Sequence, residues 1–351
     1  MSIIHILSKA LPQRHPRIRV GIIGLGNIST VHIAAILASR DAVIYAIADV
    51  DTEKLNKKIM ESRCDNAFTD YHKILQDPNV DMVDILLPHE RHAEVVCEVL
   101  AAGKHVLCEK PLVTNVRDIS RIQTLARKMN RHVYIKQYFR FSVLHKQLQK
   151  DVANGVIGRP YLVSCLYTTN DVLAYNDPTS WRGNVKEAGG GIWMDVGVHI
   201  IDYLQELFGD PLSVFALTKR NFSPLSSKGE DLSAVTVEFD GGIVANILCS
   251  ASDTSFGFRW EKRFFGSEGS IHLTDSGKFN MRSILQKNGK EVAESTEQYW
   301  WKNANIKAIQ DVLGRIARDE PPAISLEEAR RTLEVVSGAY ISARTGRKIR
   351  L

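Results

Sequence analysis

The chain has no CxxC pair, no apolar run long enough to cross a bilayer and no block of basic residues. Its five cysteines (Cys64, Cys97, Cys108, Cys165 and Cys249) are scattered and odd in number. They read as reduced, mostly buried thiols of a cytoplasmic protein, not as a disulfide framework. Met1 to Leu11 is partly apolar, but it lacks basic residues ahead of the apolar part and a small-residue cleavage site after it. A signal peptide is therefore not expected there. With Pro12 and Pro16 following, residues 1–16 read as an N-terminal arm. The net charge of +5 is mild, and basic residues do not interleave with aromatics. Nucleic acid is therefore not an expected partner, and neither is a membrane. There is no HExxH and no Cys/His cluster at zinc spacing, so no metal is expected. The absence of GxSxG removes the support for serine-nucleophile chemistry. No internal repeat or low-complexity tract is visible.

What is present is ordinary in amount and informative in order. The 351 residues, 44% hydrophobic and 24% charged, suffice for two domains with real cores. Arg17 to Gly24 is a continuous apolar run, as a strand buried on both faces should be. It enters the turn Gly24-Leu25-Gly26-Asn27-Ile28-Ser29, then a helical pattern, then the strand Ala42 to Ala48, which ends at Asp49. Strand, glycine turn, helix, strand and acid together fit a dinucleotide site. Gly24 allows the tight turn, Gly26 lets backbone approach a diphosphate, and the helix N-terminus attracts its charge. Asp49 is placed to accept hydrogen bonds from the adenosine ribose hydroxyls. A carboxylate there repels a 2′-phosphate, which favours NAD over NADP. The third position of the glycine pattern is Ser29 instead of glycine or alanine.

The alternation continues through helices expected at Asp51–Met60, Asp70–Gln76, Glu90–Ala102 and Thr114–Met129. The strands between them are expected at Val80–Leu87, His105–Cys108 and His132–Lys136. This order implies a parallel sheet covered on both faces. Leu87, Pro88, Glu109 and Lys110 then fall on the same sheet edge as the glycine turn, where ligands of open α/β sheets bind. Taken alone, Lys110 reads as a solvated charge; on that edge it also reads as a proton-transfer lysine.

From Gln137 the pattern changes. One helix is expected over Tyr138–Ala153, followed by strand-like runs at Tyr161–Thr168, Leu212–Lys219, Leu232–Phe239, Ile243–Ser250, Arg259–Gly266 and Phe279–Leu285. Short turns join them, which reads as an open, mainly antiparallel sheet. Two helices close the chain, about Trp301–Arg318 and Ser325–Thr345. The expected fold is thus an α/β Rossmann domain with a parallel sheet (17–136) and a C-terminal α+β domain (137–351). The last helix is free to pack back on the first domain.

Ala188 to Asp202 is the richest stretch of the second half. Its glycine triplet, Gly189-Gly190-Gly191, permits close backbone packing or approach of a ligand. A helix beginning near Met194 puts Asp195, His199 and Asp202 on one side. An acid one turn before a histidine would fix its tautomer and raise its basicity, and such a pair can take a proton from an alcohol as a carbonyl forms. Weighed by itself, an isolated Asp-x-x-x-His is more often a helix-start acid and a satisfied core histidine. Upstream, Trp181-Arg182 lies in a polar stretch with Asn170, Asp171, Tyr175 and Asn176, suited to a polyhydroxylated ligand or to an ordinary surface loop.

Three segments together resemble the glucose–fructose oxidoreductase / inositol dehydrogenase / rhizopine catabolism (Gfo/Idh/MocA) family. They are Val20-Gly21-Ile22-Ile23-Gly24-Leu25-Gly26, Gly103-Lys104-His105-Val106-Leu107-Cys108-Glu109-Lys110-Pro111, and Gly190-Gly191 through Asp195 and His199. The resemblance covers nearly the whole chain. It implies NAD(P)-dependent interconversion of a secondary hydroxyl and a ketone on a sugar, sugar derivative or cyclitol. It also implies assembly as a homodimer or homotetramer through the C-terminal sheet. In this resemblance Lys110 is the catalytic lysine, Glu109 and Pro111 help place the nicotinamide half, and Asp195 and His199 flank the reacting hydroxyl. Pro88 and His92 match the family's proline and histidine after the fourth strand. Tyr138, Arg140, Trp181 and Arg182 join Lys110, Asp195 and His199 in the expected substrate wall. Two residues depart from the family pattern: His89 stands where asparagine is usual, and Tyr138 takes the asparagine position of N-x-R-F. Either Lys110 or His199 can be the base. A reductase of a non-sugar carbonyl and an inactive NAD-binding sensor are the rival readings.

Overall fold

The structure is a computed structural model. It describes residues 17–170, 177, 180–221, 229–252, 258–275 and 280–351. The arm at 1–16 and the residues Asp171, Tyr175, Asn176 and Phe279 lie outside that set.

The first sheet has six parallel strands: β1 (Ile18–Ile23), β2 (Ala42–Ala48), β3 (Ala67–Phe68), β4 (Met82–Ile85), β5 (His105–Cys108) and β6 (Val133–Ile135). Their order is β3-β2-β1-β4-β5-β6. The order reverses between β1 and β4, so the turns after these two strands flank one crevice. Helices α1 (Ser29–Leu37), α2 (Thr52–Ser62), α3 (His72–Gln76), α4 (His89–Ala101) and α5 (Val116–Met129) connect the strands. The strands are near-continuous apolar runs because helices cover both faces: Val20, Met82, Val83, Val106 and Leu107 have no exposed surface.

The second sheet has nine strands. They are β7 (Pro160–Thr168), β8 (Pro211–Lys219), β9 (Leu232–Phe239), β10 (Ile243–Ser250), β11 (Arg259–Gly266), β12 (Ser270–Asp275), β13 (Met281–Lys287), β14 (Lys290–Glu297) and β15 (Ile349–Arg350). All neighbours are antiparallel except β7 and β10, which run parallel. Its alternation is clean on β8 to β10. Val214, Ala216, Val235, Val237, Ala245 and Ile247 are buried in the same core cluster as residues of α7 (Val198–Phe208) and α9 (Leu326–Thr345). Leu217, Ala234, Leu248 and Leu166 form one cross-strand row on the opposite face. Helix α8 (Trp300–Ala317) joins the first domain instead: Ile309, Val312 and Leu313 share a core with β1 and α1.

The single helix expected over 138–153 is broken. A 3₁₀ turn, Tyr138–Phe141, precedes α6 (Val143–Ala153), and Ser142 between them is extended at φ −67°, ψ 139°. The break has a physical cause in a distant strand. The Glu297 carboxylate at the end of β14 accepts from Ser142 Oγ (2.6 Å), Val143 N (3.0 Å) and Leu144 N (3.1 Å). A new helix start is therefore fully capped there.

Candidate active site

The glycine turn is built for a close approach. Gly24 has φ +93°, and a Cβ on it would lie 2.4 Å from the Leu86 carbonyl oxygen. Gly26 is exposed, with nothing within 4 Å of the position its Cβ would take, so the backbone at the start of α1 is open to a ligand. Ser29, the departure from the glycine pattern, is buried and its Oγ donates to Gly26 O at 2.7 Å. The hydroxyl thus ties the turn to the helix that a third glycine would merely pack against. Asp49 directly follows β2, and its carboxylate accepts from Leu25 N (2.7 Å) and Asp51 N (2.9 Å). Each oxygen keeps a lone pair for a ribose hydroxyl. Exposed Val50 and the acid Asp51 follow, so nothing basic next to Asp49 would favour a 2′-phosphate. Asn27 is exposed and Ile28 half-buried on the same turn; Leu87 and Pro88 are half-buried across the crevice. These residues fit a dinucleotide.

Beneath the sheet edge lies a buried chain of charges that the sequence did not disclose. His32 on α1 contacts Asp84 Oδ2 through Nδ1 (2.8 Å) and Glu109 Oε1 through Nε2 (3.0 Å). Lys136 Nζ donates to the same Glu109 oxygen at 2.6 Å. Burial opposes the charge on His32, but Asp84 and Glu109 overcome it and raise its pKa. Burial likewise opposes a Glu109 carboxylate, yet Lys136 and His32 hold its pKa well below the usual range. Asp84, His32, Glu109 and Lys136 alternate in sign of their charged forms, so each buried polar group has a partner. Glu109 Oε2 also accepts from Lys110 N at 3.2 Å, which fixes the backbone of the lysine. The Lys110–Pro111 peptide is cis.

Lys110 reaches the second domain. Its Nζ donates to Asp195 Oδ1 at 2.5 Å and to the Asp195 carbonyl at 2.7 Å. Arg182 Nε donates to Asp195 Oδ2 at 3.1 Å, with its guanidinium stacked 4.5 Å from the Trp181 ring. Burial pushes Asp195 up, but Lys110 and Arg182 outweigh it and hold the carboxyl well below the ordinary value. The expected pairing of Asp195 with His199 is therefore corrected. Two cations hold the carboxylate, and charge-assisted bonds outcompete a neutral imidazole. His199 Nδ1 lies 2.6 Å from Gln137 Oε1 instead. Gln137 Nε2 faces the Val198 carbonyl at 3.4 Å, which identifies Oε1 as the atom toward the histidine. His199 Nδ1 therefore carries the hydrogen and Nε2 the lone pair. Burial, then Lys110, pushes the His199 pKa well below its usual value, so the ring is neutral.

Other expected residues fall elsewhere. Asp202 and Arg140 form a buried two-bond pair (2.8 and 2.9 Å), and Arg140 Nη1 also donates to Glu328 at 3.0 Å. Arg140 is spent on clamping the 3₁₀ turn to α7 and the start of α9, which corrects its assignment to the substrate wall. His92 is fully buried, with Nδ1 2.8 Å from Pro111 O and Nε2 2.8 Å from Leu87 O. It ties the two loops of the cofactor side together and is not itself presented to a cofactor. Tyr138 is edge-on to His199 at 4.7 Å, and burial raises its pKa. The glycine triplet resolves in favour of packing: a Cβ on Gly190 would meet Tyr340 Oη at 2.1 Å, and one on Gly191 the Glu230 backbone at 2.0 Å. Sequence reasoning missed His32, Asp84, Lys136 and Gln137. The signal for the last two was their place at the end of β6, on the same edge as Glu109; a histidine or aspartate inside an apolar run marks the others.

Residues 18–137 match the oxidoreductase family model with the NAD-binding Rossmann fold, GFO_IDH_MocA. Residues 149–351 match its C-terminal alpha/beta domain. The chain belongs to the Gfo/Idh/MocA family. It is an oxidoreductase with an NAD-binding Rossmann domain. Within this family it is 26% identical over 342 residues to the myo-inositol 2-dehydrogenase of Thermotoga maritima, covering 95% of this chain and 98% of that protein. It is 24% identical over 352 residues to the D-apiose dehydrogenase of Paraburkholderia graminis, covering 95% and 90%. A levoglucosan dehydrogenase in complex with NADH and levoglucosan shares the fold at a TM-score of 0.86 and 21% identity, covering 95% of this chain and 99% of that one.

Proposed function

We propose that this Gfo/Idh/MocA protein is an NAD-dependent dehydrogenase. It interconverts a secondary hydroxyl and a ketone on a sugar, sugar derivative or cyclitol. The observation that carries this reading is the 2.5 Å contact of Lys110 Nζ with Asp195, alongside a neutral His199 oriented by Gln137. Bound NAD supplies the nicotinamide that accepts hydride from the carbinol carbon. The chain supplies the rest. Lys110 has two donors on Asp195 and one left for the substrate oxygen, where negative charge develops. His199 Nε2 takes the hydroxyl proton, which Lys110, already donating, is less suited to accept. Asp195 holds Lys110 as a donor, and Glu109 fixes its backbone. In the reductive direction the same groups return the proton.

The relatives named for inositol, apiose and levoglucosan support a polyol. The exposed row with Leu217 and Leu248, flanked by half-exposed Phe215, supports a homodimer or homotetramer through the open sheet. Free, buried cysteines suit a reducing cytoplasm. A screen of sugars and cyclitols for NADH absorbance tests the activity. Turnover with NAD and little with NADP is expected. Tight NAD binding without turnover of any polyol would favour the sensor instead.

A further inference from the structure

His89 opens α4 on the first domain and is buried. Its Nδ1 lies 2.8 Å from the carbonyl of Ala188 on the second domain. A carbonyl only accepts, so Nδ1 carries the hydrogen and Nε2 is left as an acceptor. Burial, then Lys110, pushes the His89 pKa down to about 3, so that lone pair persists at neutral pH.

Two independent paths put this ring beside the reacting centre. On one side it meets the Trp181 ring edge-on at 4.5 Å; Trp181 stacks on Arg182, and Arg182 bonds Asp195, the partner of Lys110. On the other side it lies 5.8 Å from the ring of His92, whose Nδ1 is 2.8 Å from the carbonyl of Pro111, next to Lys110. Lys110 and Asp195 are both within electrostatic reach of it. The Lys110 ammonium thus has a neutral histidine from each domain near it, each with Nδ1 hydrogen-bonded and the lone pair on Nε2.

We infer that His89 Nε2 accepts a hydrogen bond from the hydroxyl next to the reacting one, so the site selects vicinal diols over isolated secondary alcohols. This rests on the dehydrogenase reading and deepens it. Asparagine, usual at this position in the family, can offer either a donor or an acceptor; the histidine, held by Ala188, offers only an acceptor. An ether or a carbonyl at the neighbouring carbon would face that lone pair without a hydrogen and be rejected.

The test uses a minimal pair, cis-1,2-cyclohexanediol and cyclohexanol, titrated into the NADH-saturated full-length protein by calorimetry. The wild type is expected to bind the diol about tenfold more tightly, the worth of one added hydrogen bond. His89→Phe should abolish that preference, and His89→Asn should keep part of it. NADH affinity should stay constant in both variants, which separates loss of the diol contact from collapse of the site. An unchanged preference in folded His89→Phe, or no preference in the wild type, overturns the inference. Polyol turnover is measured on the same samples. If turnover is present while the preference is insensitive to His89, only this inference falls. If turnover and preference are both absent, the dehydrogenase reading falls with it.

Discussion

His199 on α7 is oriented by Gln137, two residues past the end of β6, at 2.6 Å. The Asp195 carboxylate, one turn earlier on the chain, is engaged by Lys110 and Arg182. The site therefore separates two tasks that a single acid–histidine pair would combine: Asp195 holds the donor and Gln137 sets the acceptor.

Gln137→Leu should free the His199 ring to rotate and exchange tautomers. The proton acceptor would then be wrongly placed part of the time, and kcat should fall roughly 10²-fold with NAD affinity unchanged. Gln137→Glu should do something different. A carboxylate at Nδ1 raises the pKa of His199, and the ring must be neutral to accept a proton. The acid limb of the kcat–pH profile, which in the wild type lies below the ordinary histidine value of about 6.5, should move to higher pH. An unmoved limb would show that His199 is not the acceptor.

Lys110→Ala should fold and bind NAD, because Asp195 retains Arg182 and the glycine turn is untouched. Turnover should drop by about 10³-fold or more, since the ammonium that donates to Asp195 and faces the developing negative charge is gone. Stopped assays with saturating NAD measure this directly; wild-type turnover in the variant would refute the role of Lys110.

Lys262 is a separate matter of stability. It is fully buried, with Nζ 2.7 Å from His145 Nε2 and the rings of Phe139, Tyr203 and Trp260 within 3.9 to 4.5 Å. Burial pushes its pKa down to about 7, below the value of about 10.4 in an unfolded chain. The folded form thus binds fewer protons between those two values, and stability rises with pH across that window. The penalty is largest at and below pH 7 and vanishes near pH 10, with the three rings offsetting part of it. Lys262→Met should accordingly raise Tm more at pH 6 than at pH 9.5, read by calorimetry at both pH values. An equal shift at the two would contradict the linkage.

Phe215 and Leu217 stand half-exposed on the open face of β8. If the open sheet is the proposed interface, replacing both with glutamate should give monomers in light scattering where the wild type is oligomeric, while leaving NAD affinity intact. A wild-type protein already monomeric at micromolar concentration would remove the sheet as an interface.

The local code was enough for what is local. Buried parallel strands read as unbroken apolar runs, and hairpin strands as alternation. The glycine turn, Asp49, and the Glu109-Lys110-Pro111 edge were visible because strand ends and tight turns restrict which residues fit. Tertiary structure decided everything that depends on which charges meet. The sequence put Asp195 and His199 on one helical side, but spacing cannot say that Lys110, 85 residues earlier, takes the acid, or that Gln137 takes the histidine. It could not show that Glu297 ends one helix and starts another at Ser142, nor that Arg140 is consumed by Asp202. It left open whether Lys110 takes the proton or only holds the oxygen. The fold decided between an isolated lysine and one bonded across two domains, because a buried carboxylate binds the cations that folding brings within reach, whatever their distance along the chain.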